Sequence, residues 1–409
     1  MCIRDSTAGS PPYLAVLGLA VAGVLVVVAT TGFGGANGPS GSGPHGSDPS
    51  ATRPVTTPRP TPVPIPGHEV YGFLPYWEMI DGISAHLAET RLTTLGLFSV
   101  THRRNGTLAT GQAGYKRIVG PIGERLIAEA HERGVRVELV YTSFGYQKNA
   151  DFLSDLAIQA RTIDGLVALV RELGLDGVNV DIEQLQGEFV PAYGVFVEHL
   201  RTALREADPD AQVSVATGAN YGGAAMAVAA TAAGADRIFL MGYDYHWSGS
   251  APGASAPLDR RDGDGKDLRW SLDLYHTLGV PAERTLLGLP LYGMAWPVVS
   301  DELGAPRTGR GAAWIPRRNL DFLADPSHSP LLDPIEVVEF HAVEREDGWL
   351  AVYVDSPRTL APKLLLADER GLAGAGLWAL GYERGLPEMT ELIATFHAGE
   401  LTGSGSTIP

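Results

Sequence analysis

From about His68 onward, eight short β-branched or apolar runs alternate with longer amphipathic stretches, which is the pattern of repeated βα units. The runs are Val70–Pro75, Thr94–Val100, Val135–Thr142, Gly177–Glu183, Val213–Gly218, Arg237–Tyr243, Thr285–Tyr292 and Gly374–Ala379. Between them lie helical stretches such as 122–134 and 163–174, each ending in the glycine expected just past a helix C-terminus. Eight such units predict an α/β fold, the closed (β/α)8 TIM barrel. An open doubly wound sheet is the alternative, but 68–396 is long for one, and no GxGxxG follows the first strand. The interval 297–359 is too long for one connection and contains the strand-like IEVVEF and WLAVYV, so a small α+β insertion between strands 7 and 8 is expected, standing as a wall beside the active face.

The barrel region, 68–396, is preceded by different material. Residues 1–12 form a stub whose first six, MCIRDS, resemble a translated sequencing adapter. Residues 13–31 carry no charge and are near the length of about 20 that spans a bilayer, which predicts a transmembrane anchor or a signal peptide. Residues 32–67 are rich in Gly, Ser, Thr and Pro, the composition of a disordered tether, and 397–409 read as a flexible tail. The expected location is therefore extracellular, either anchored at the cell surface through the N-terminal segment or secreted.

Charge and side-chain chemistry exclude several classes of function. A net charge of −16 removes the general attraction to phosphate backbones, so nucleic acid is not an expected partner. A single cysteine, Cys2, allows neither an internal disulfide framework nor a cysteine zinc site. The 11 histidines show no HxxxH spacing, and Asp259, Asp262, Asp264 and Asp267 lack the full EF-hand pattern and read as a solvated loop. No metal and no cofactor is expected.

The fourth strand carries the chemistry. In Leu175-Asp176-Gly177-Val178-Asn179-Val180-Asp181-Ile182-Glu183, period two puts Asn179, Asp181 and Glu183 on one face and Val178, Val180 and Ile182 on the other. The apolar set packs under helices, which leaves the polar set in the lumen. Three stacked polar groups there cost several kcal/mol unless paired, which argues for function. Glu183 lies at the C-terminal end, the face on which barrel enzymes place catalysis. Two neighbouring carboxylates resist double ionisation, so one stays protonated, as a general acid must.

DGVNVDIE resembles the DxxDxDxE signature of glycoside hydrolase family 18, the chitinase-like enzymes. Met241-Gly242-Tyr243-Asp244 is similar to that family's MxYD motif, and Gly288-Leu289-Pro290-Leu291-Tyr292-Gly293 and Trp378 extend the likeness over roughly 69–396. Within it, VYGFLPYW (70–77), the Asn in DGVNVDIE and YDYHWSGS (243–250) look most like the branch acting on spore cortex and cell wall. The resemblance implies retaining, substrate-assisted hydrolysis, in which the substrate's own N-acetyl group attacks the anomeric carbon. Glu183 would protonate the leaving oxygen and later activate water, Asp181 would orient the acetamido N–H, and Tyr243 would hold its carbonyl; Asn179 completes the catalytic set. Trp378 would form the floor under a sugar ring. Tyr76, Trp77, Trp247 and Trp296 are candidate cleft walls, and Asp244, Met241 and Tyr292 are further substrate-binding candidates.

Two positions depart from the chitinase pattern. Asn179 stands where the family has Asp, so a proton shared along the stack has no second acid to visit. Ser143-Phe144-Gly145-Tyr146 replaces SxGG, with Tyr146 narrowing the cleft. The expected partner is an N-acetylglucosamine-containing glycan, peptidoglycan ahead of chitin oligosaccharides. The rivals are a non-catalytic sugar-binding barrel, disfavoured by the presence of Glu183, and a metal-dependent hydrolase using Asn179, Asp181 and Glu183 as ligands.

Overall fold

The computed structural model describes residues 67–402. Along the chain come β1 (Glu69–Pro75), β2 (Thr94–Val100), β3 (Arg136–Phe144), β4 (Gly177–Glu183), β5 (Gln212–Gly218), β6 (Arg237–Met241) and β7 (Thr285–Pro290). They are followed by β8 (Gly293–Val298), β9 (Ala312–Trp314), β10 (Leu331–Asp333), β11 (Val338–Arg345), β12 (Gly348–Val354) and β13 (Gly374–Trp378). The longer helices are α1 (Ile83–Glu89), α2 (Ala113–Ile118), α3 (Pro121–Glu132), α4 (Tyr146–Leu153), α5 (Leu156–Leu173), α6 (Val190–Ala207), α7 (Tyr221–Ala232), α8 (Leu268–Thr277), α9 (Leu320–Ala324), α10 (Pro357–Glu369) and α11 (Pro387–His397).

Strands β1 to β7 and β13 close a parallel barrel in the order β1-β13-β7-β6-β5-β4-β3-β2. This is the expected (β/α)8 architecture. Alternation along each strand sorts side chains between lumen and helical shell. On β4, Val178, Val180 and Ile182 are buried in the apolar core between barrel and helices. In the lumen the lowest layer is ionic: the Arg237 guanidinium donates to both carboxylate oxygens of Glu69, and Arg136 lies 3.8 Å from the same group. Above it sits the Phe239 ring, edge-on to Phe73 with centroids 4.8 Å apart. A Cβ at Gly288 or Gly376 would fall 2.4 or 2.0 Å from that ring, so Phe239 occupies the volume these two glycines leave open.

Several boundaries differ from the sequence expectation, each for a local reason. The fifth helix starts at Leu156, not 163, because Asp155 caps it by accepting from the Ala157 and Ile158 amides. β6 stops at Met241 rather than Tyr243, where the Gly242 amide turns to the Leu240 and Gly288 carbonyls and Asp244 takes a φ of 61°. β7 ends at Pro290 rather than Tyr292, after which the Leu291 amide donates to the Trp378 carbonyl at 2.7 Å. The insertion therefore begins at Gly293 and forms a five-stranded antiparallel sheet, ordered β10-β11-β12-β8-β9, with α9 as its short helix. The strand expected at IEVVEF is delayed to Val338, because Asp333 accepts from the Ile335 and Glu336 amides and Val337 sits at a φ of 55°.

The last helix reaches His397, whose Nδ1 lies 2.9 Å from the His68 carbonyl and ties the end of the barrel to its start. Residues 13–31, the tether up to residue 66 and most of the 397–409 tail lie outside the described residues. Among those described, no helix is long and apolar enough to cross a membrane.

Candidate active site

β4 delivers Asn179, Asp181 and Glu183 to the lumen in ascending order, with Asn179 and Asp181 buried and Glu183 partly open at the strand's C-terminal end. The turn beyond is fixed from below. Ser143 donates to the Asn149 side-chain oxygen at 2.6 Å, and the Asn149 amide donates to the Glu183 carbonyl at 2.5 Å. Ser143 of the SFGY stretch thus holds the backbone of the acid residue through α4. Tyr146 opens α4 with its side chain 57% exposed. Gln184, immediately after Glu183, has a φ of 61°, so the chain leaves the strand through a left-handed residue, a conformation that the surrounding contacts must hold in place.

The electrostatics follow from crowding. Burial raises the Asp181 carboxyl well above the ordinary range, and the neighbouring Glu183 charge raises it further. Burial also raises Glu183, with the charge of Asp244 adding to it. Tyr243, just past β6, has its phenol pushed up by burial and by the fields of Asp181, Asp244 and Glu183. A neutral phenol and a proton-retaining carboxyl pair therefore share one field at the barrel mouth, where they can donate a proton and hold a carbonyl.

Asp244 is exposed as a residue, yet its carboxylate accepts from the Tyr292 phenol, while its backbone amide donates to Ser255 Oγ at 3.1 Å. Ser255 Oγ in turn donates to the Tyr292 hydroxyl at 3.1 Å. Tyr292 is buried, and its hydroxyl braces Asp244. Trp378 is 6% exposed, packed edge-on against Phe98 at 4.8 Å and near Phe73 at 5.8 Å and Trp77 at 6.4 Å. Trp77 is partly buried, donates from Nε1 to the Tyr382 hydroxyl at 3.1 Å, and meets the partly buried Tyr76 at 4.9 Å. Met241 is partly buried at the end of β6, and Trp247 is 52% exposed on the loop that follows. Trp296 is not a cleft wall: it is fully buried in the insertion, against Gly311 and 5.9 Å from Tyr353.

The lumen also holds an acid that the sequence reading did not name. Glu138 on β3 is buried there; Ser214 of β5 donates to its Oε2, and the Tyr71 phenol of β1 donates to the same oxygen at 2.9 Å. Asn179 Nδ2 donates to Ser214 Oγ at 2.7 Å. The sequence signal was one acid flanked by apolar residues, VEL (137–139), in the strand RVELVYTSF. The acidic loop at 259–267 has structural work: Asp262 pairs with Arg260, and Asp267 caps α8 by accepting from the Trp270 amide at 2.8 Å.

The family model described as glycosyl hydrolases family 18 matches residues 126–383. The chain belongs to this family. It is 26% identical over 270 residues to chitotriosidase-1 of Mus musculus, covering 58% of this chain and 56% of that protein. It is 24% identical over 310 residues to the cortical fragment-lytic enzyme of Bacillus subtilis (strain 168), covering 73% and 67%. The chain spans between about half and two thirds of the length of these two relatives and of the sporulation-specific glycosylase YdhD of Bacillus subtilis (strain 168). Among solved structures, the Bacillus cereus spore cortex-lytic enzyme SleL superposes with a TM-score of 0.66 at 19% identity, covering 81% of this chain and 75% of that one. The family 18 chitinase of Cycas revoluta with bound (GlcNAc)3 gives 0.67 at 19% identity, covering 80% and 99%. These superpositions establish the fold.

Proposed function

We propose that this family 18 protein is a glycosidase that cleaves β-1,4 bonds after N-acetylglucosamine, acting on peptidoglycan or its fragments. The observation that carries the reading is the Asp181–Glu183 pair on successive inward positions at the barrel mouth, both carboxyls displaced upward, with the Tyr243 phenol in the same field. Glu183 donates its proton to the glycosidic oxygen as the C–O bond breaks. The substrate's acetamido oxygen closes on the anomeric carbon, held by the Tyr243 hydroxyl, while Asp181 accepts the acetamido N–H and balances the positive ring. Glu183, now ionised, then takes a proton from the water that reopens the ring, and the anomeric configuration is retained.

The cell-wall preference is supported by the likeness to a cortical fragment-lytic enzyme and by Asn179 and Tyr146 at positions where the chitinase signature differs. A location at the cell surface or outside the cell is supported by the apolar run at 13–31 and the Pro-rich tether after it.

The test is to incubate wild type and Glu183→Gln with purified peptidoglycan and with chitin oligosaccharides and to resolve the products by mass. Wild type is expected to release products with N-acetylglucosamine at the new reducing end. The variant should lose about 10²- to 10⁴-fold in turnover, the span attributable to one general acid–base group. Binding of both glycans without cleavage by wild type would make the protein a lectin instead.

A further inference from the structure

Beneath Asp181 the hydrogen bonds run in one direction. The Asn179 amide nitrogen donates to Ser214 Oγ, the Ser214 hydroxyl donates to Glu138 Oε2, and Tyr71 donates to that same oxygen from the other side. Ser214 and Asn179 are register partners on adjacent strands, so their contact follows from the barrel itself. Rotating the amide by half a turn would set its oxygen against Ser214, whose single proton would then leave Glu138. The buried acid thereby selects which end of the amide faces Ser214. At the other end, Asn179 Oδ1 and Asp181 Oδ1 are buried oxygens with no hydrogen-bond partner, on successive inward positions of one strand. Two unpaired acceptors are costly, and one proton held by Asp181 and directed at the amide oxygen would satisfy both.

We propose that Glu138 is a positioning residue for the reaction: through Ser214 it locks the Asn179 amide with its oxygen toward Asp181, so that Asp181 holds the proton of the acid pair at rest and passes it to Glu183 when Asp181 turns to accept the acetamido N–H. This rests on the glycosidase reading above. Glu138 fills the role left by the missing acid at position 179, displaced by one strand and acting at one remove. The groups facing Asp181 are Glu183 on its own strand, Tyr243 after β6 and Tyr193 of α6. Those facing Glu138 are Tyr71, Ser214, Arg136 and, before β6, Asp236. None of the groups facing Asp181 supplies a donor hydrogen bond to its Oδ1.

The sign of the effect can be worked out. The alkaline limb of kcat/KM marks loss of the last proton from the Asp181–Glu183 pair. A freed amide can turn its N–H toward Asp181, which favours the carboxylate and moves that limb to lower pH.

The experiment measures kcat/KM against pH for wild type, Ser214→Ala, Glu138→Met and Glu138→Gln on the better glycan, with folding checked by thermal melting. Ser214→Ala and Glu138→Met should move the alkaline limb down by about 0.5 to 1 pH unit, the displacement one hydrogen bond produces. Glu138→Gln keeps a carbonyl acceptor and should restore the wild-type limb. If Glu138→Met fails to fold, the small change at Ser214 decides. A folded, active Ser214→Ala enzyme with an unmoved limb overturns the proposal alone, whereas wild type inactive on both glycans overturns the glycosidase reading and this proposal with it.

Discussion

On the side of β3, β4 and β5 the barrel lumen holds Glu138, Asn179, Asp181 and Ser214; on the side of β1, β6 and β13 it holds Tyr71, Phe73, Phe239 and Trp378. Both sides are buried to the same degree, and they are held by different physics. The polar side depends on which atom carries a proton and where it points, so it is sensitive to changes of one atom that leave volume intact. The aromatic side depends on filled space and tolerates changes of polarity poorly because it offers few partners. Tyr71 joins the two, with its ring against Phe73 at 4.8 Å and its hydroxyl on Glu138.

The contrast can be broken in order of size. Phe239→Ala empties the space between Gly288 and Gly376, and a loss of about 3 to 5 kcal/mol in urea unfolding is expected. A loss under about 1 kcal/mol would mean that the aromatic side is not close-packed. Tyr292→Phe keeps the ring and removes the bond to Asp244. Stability should fall by about 1 to 3 kcal/mol, because Asp244 and Ser255 both lose a partner, and kcat/KM by about three- to tenfold; wild-type kinetics would show that Asp244 needs no brace.

The smallest effect is one of slope. A carboxyl whose folded-state value is raised contributes stability that is fully present below its unfolded value, near 4, and is lost as pH rises through the folded value. Asp181→Asn, which removes such a group, should therefore gain stability relative to wild type as melting is followed from pH 4 to 8. Parallel curves for the two proteins would place Asp181 in an ordinary ionised state.

The two sides also differ in how far the sequence discloses them. β4 is legible because its whole message lies within nine residues: period two separates Asn179, Asp181 and Glu183 from the valines, and any barrel must turn the polar set inward. Eight βα units likewise state the barrel without knowledge of any contact. Glu138 was hidden because its meaning is not local: it becomes a partner of position 179 only when β3, β4 and β5 are laid side by side in register. Trp296 misled in the opposite direction. An aromatic after a barrel strand looks like a cleft wall, and only packing shows that Trp296 fills the insertion's own core. Strand ends differ from the sequence reading where backbone amides turn to neighbouring strands, as at Gly242 and Leu291, or where a carboxylate competes with the ladder, as Asp333 does before β11.

The five-stranded insertion leaves the chain after Pro290 and returns before Pro357, yet β7 and β13 pair directly, Leu286 to Pro290 against Gly374 to Trp378. The ring is closed without it. In evolutionary terms the sheet is a cassette: its strands can lengthen, shorten or be exchanged while the register that aligns the acid pair is inherited untouched. The acid pair and the sheet are thereby written in separate stretches of the gene, and the pairing that closes the barrel belongs to neither.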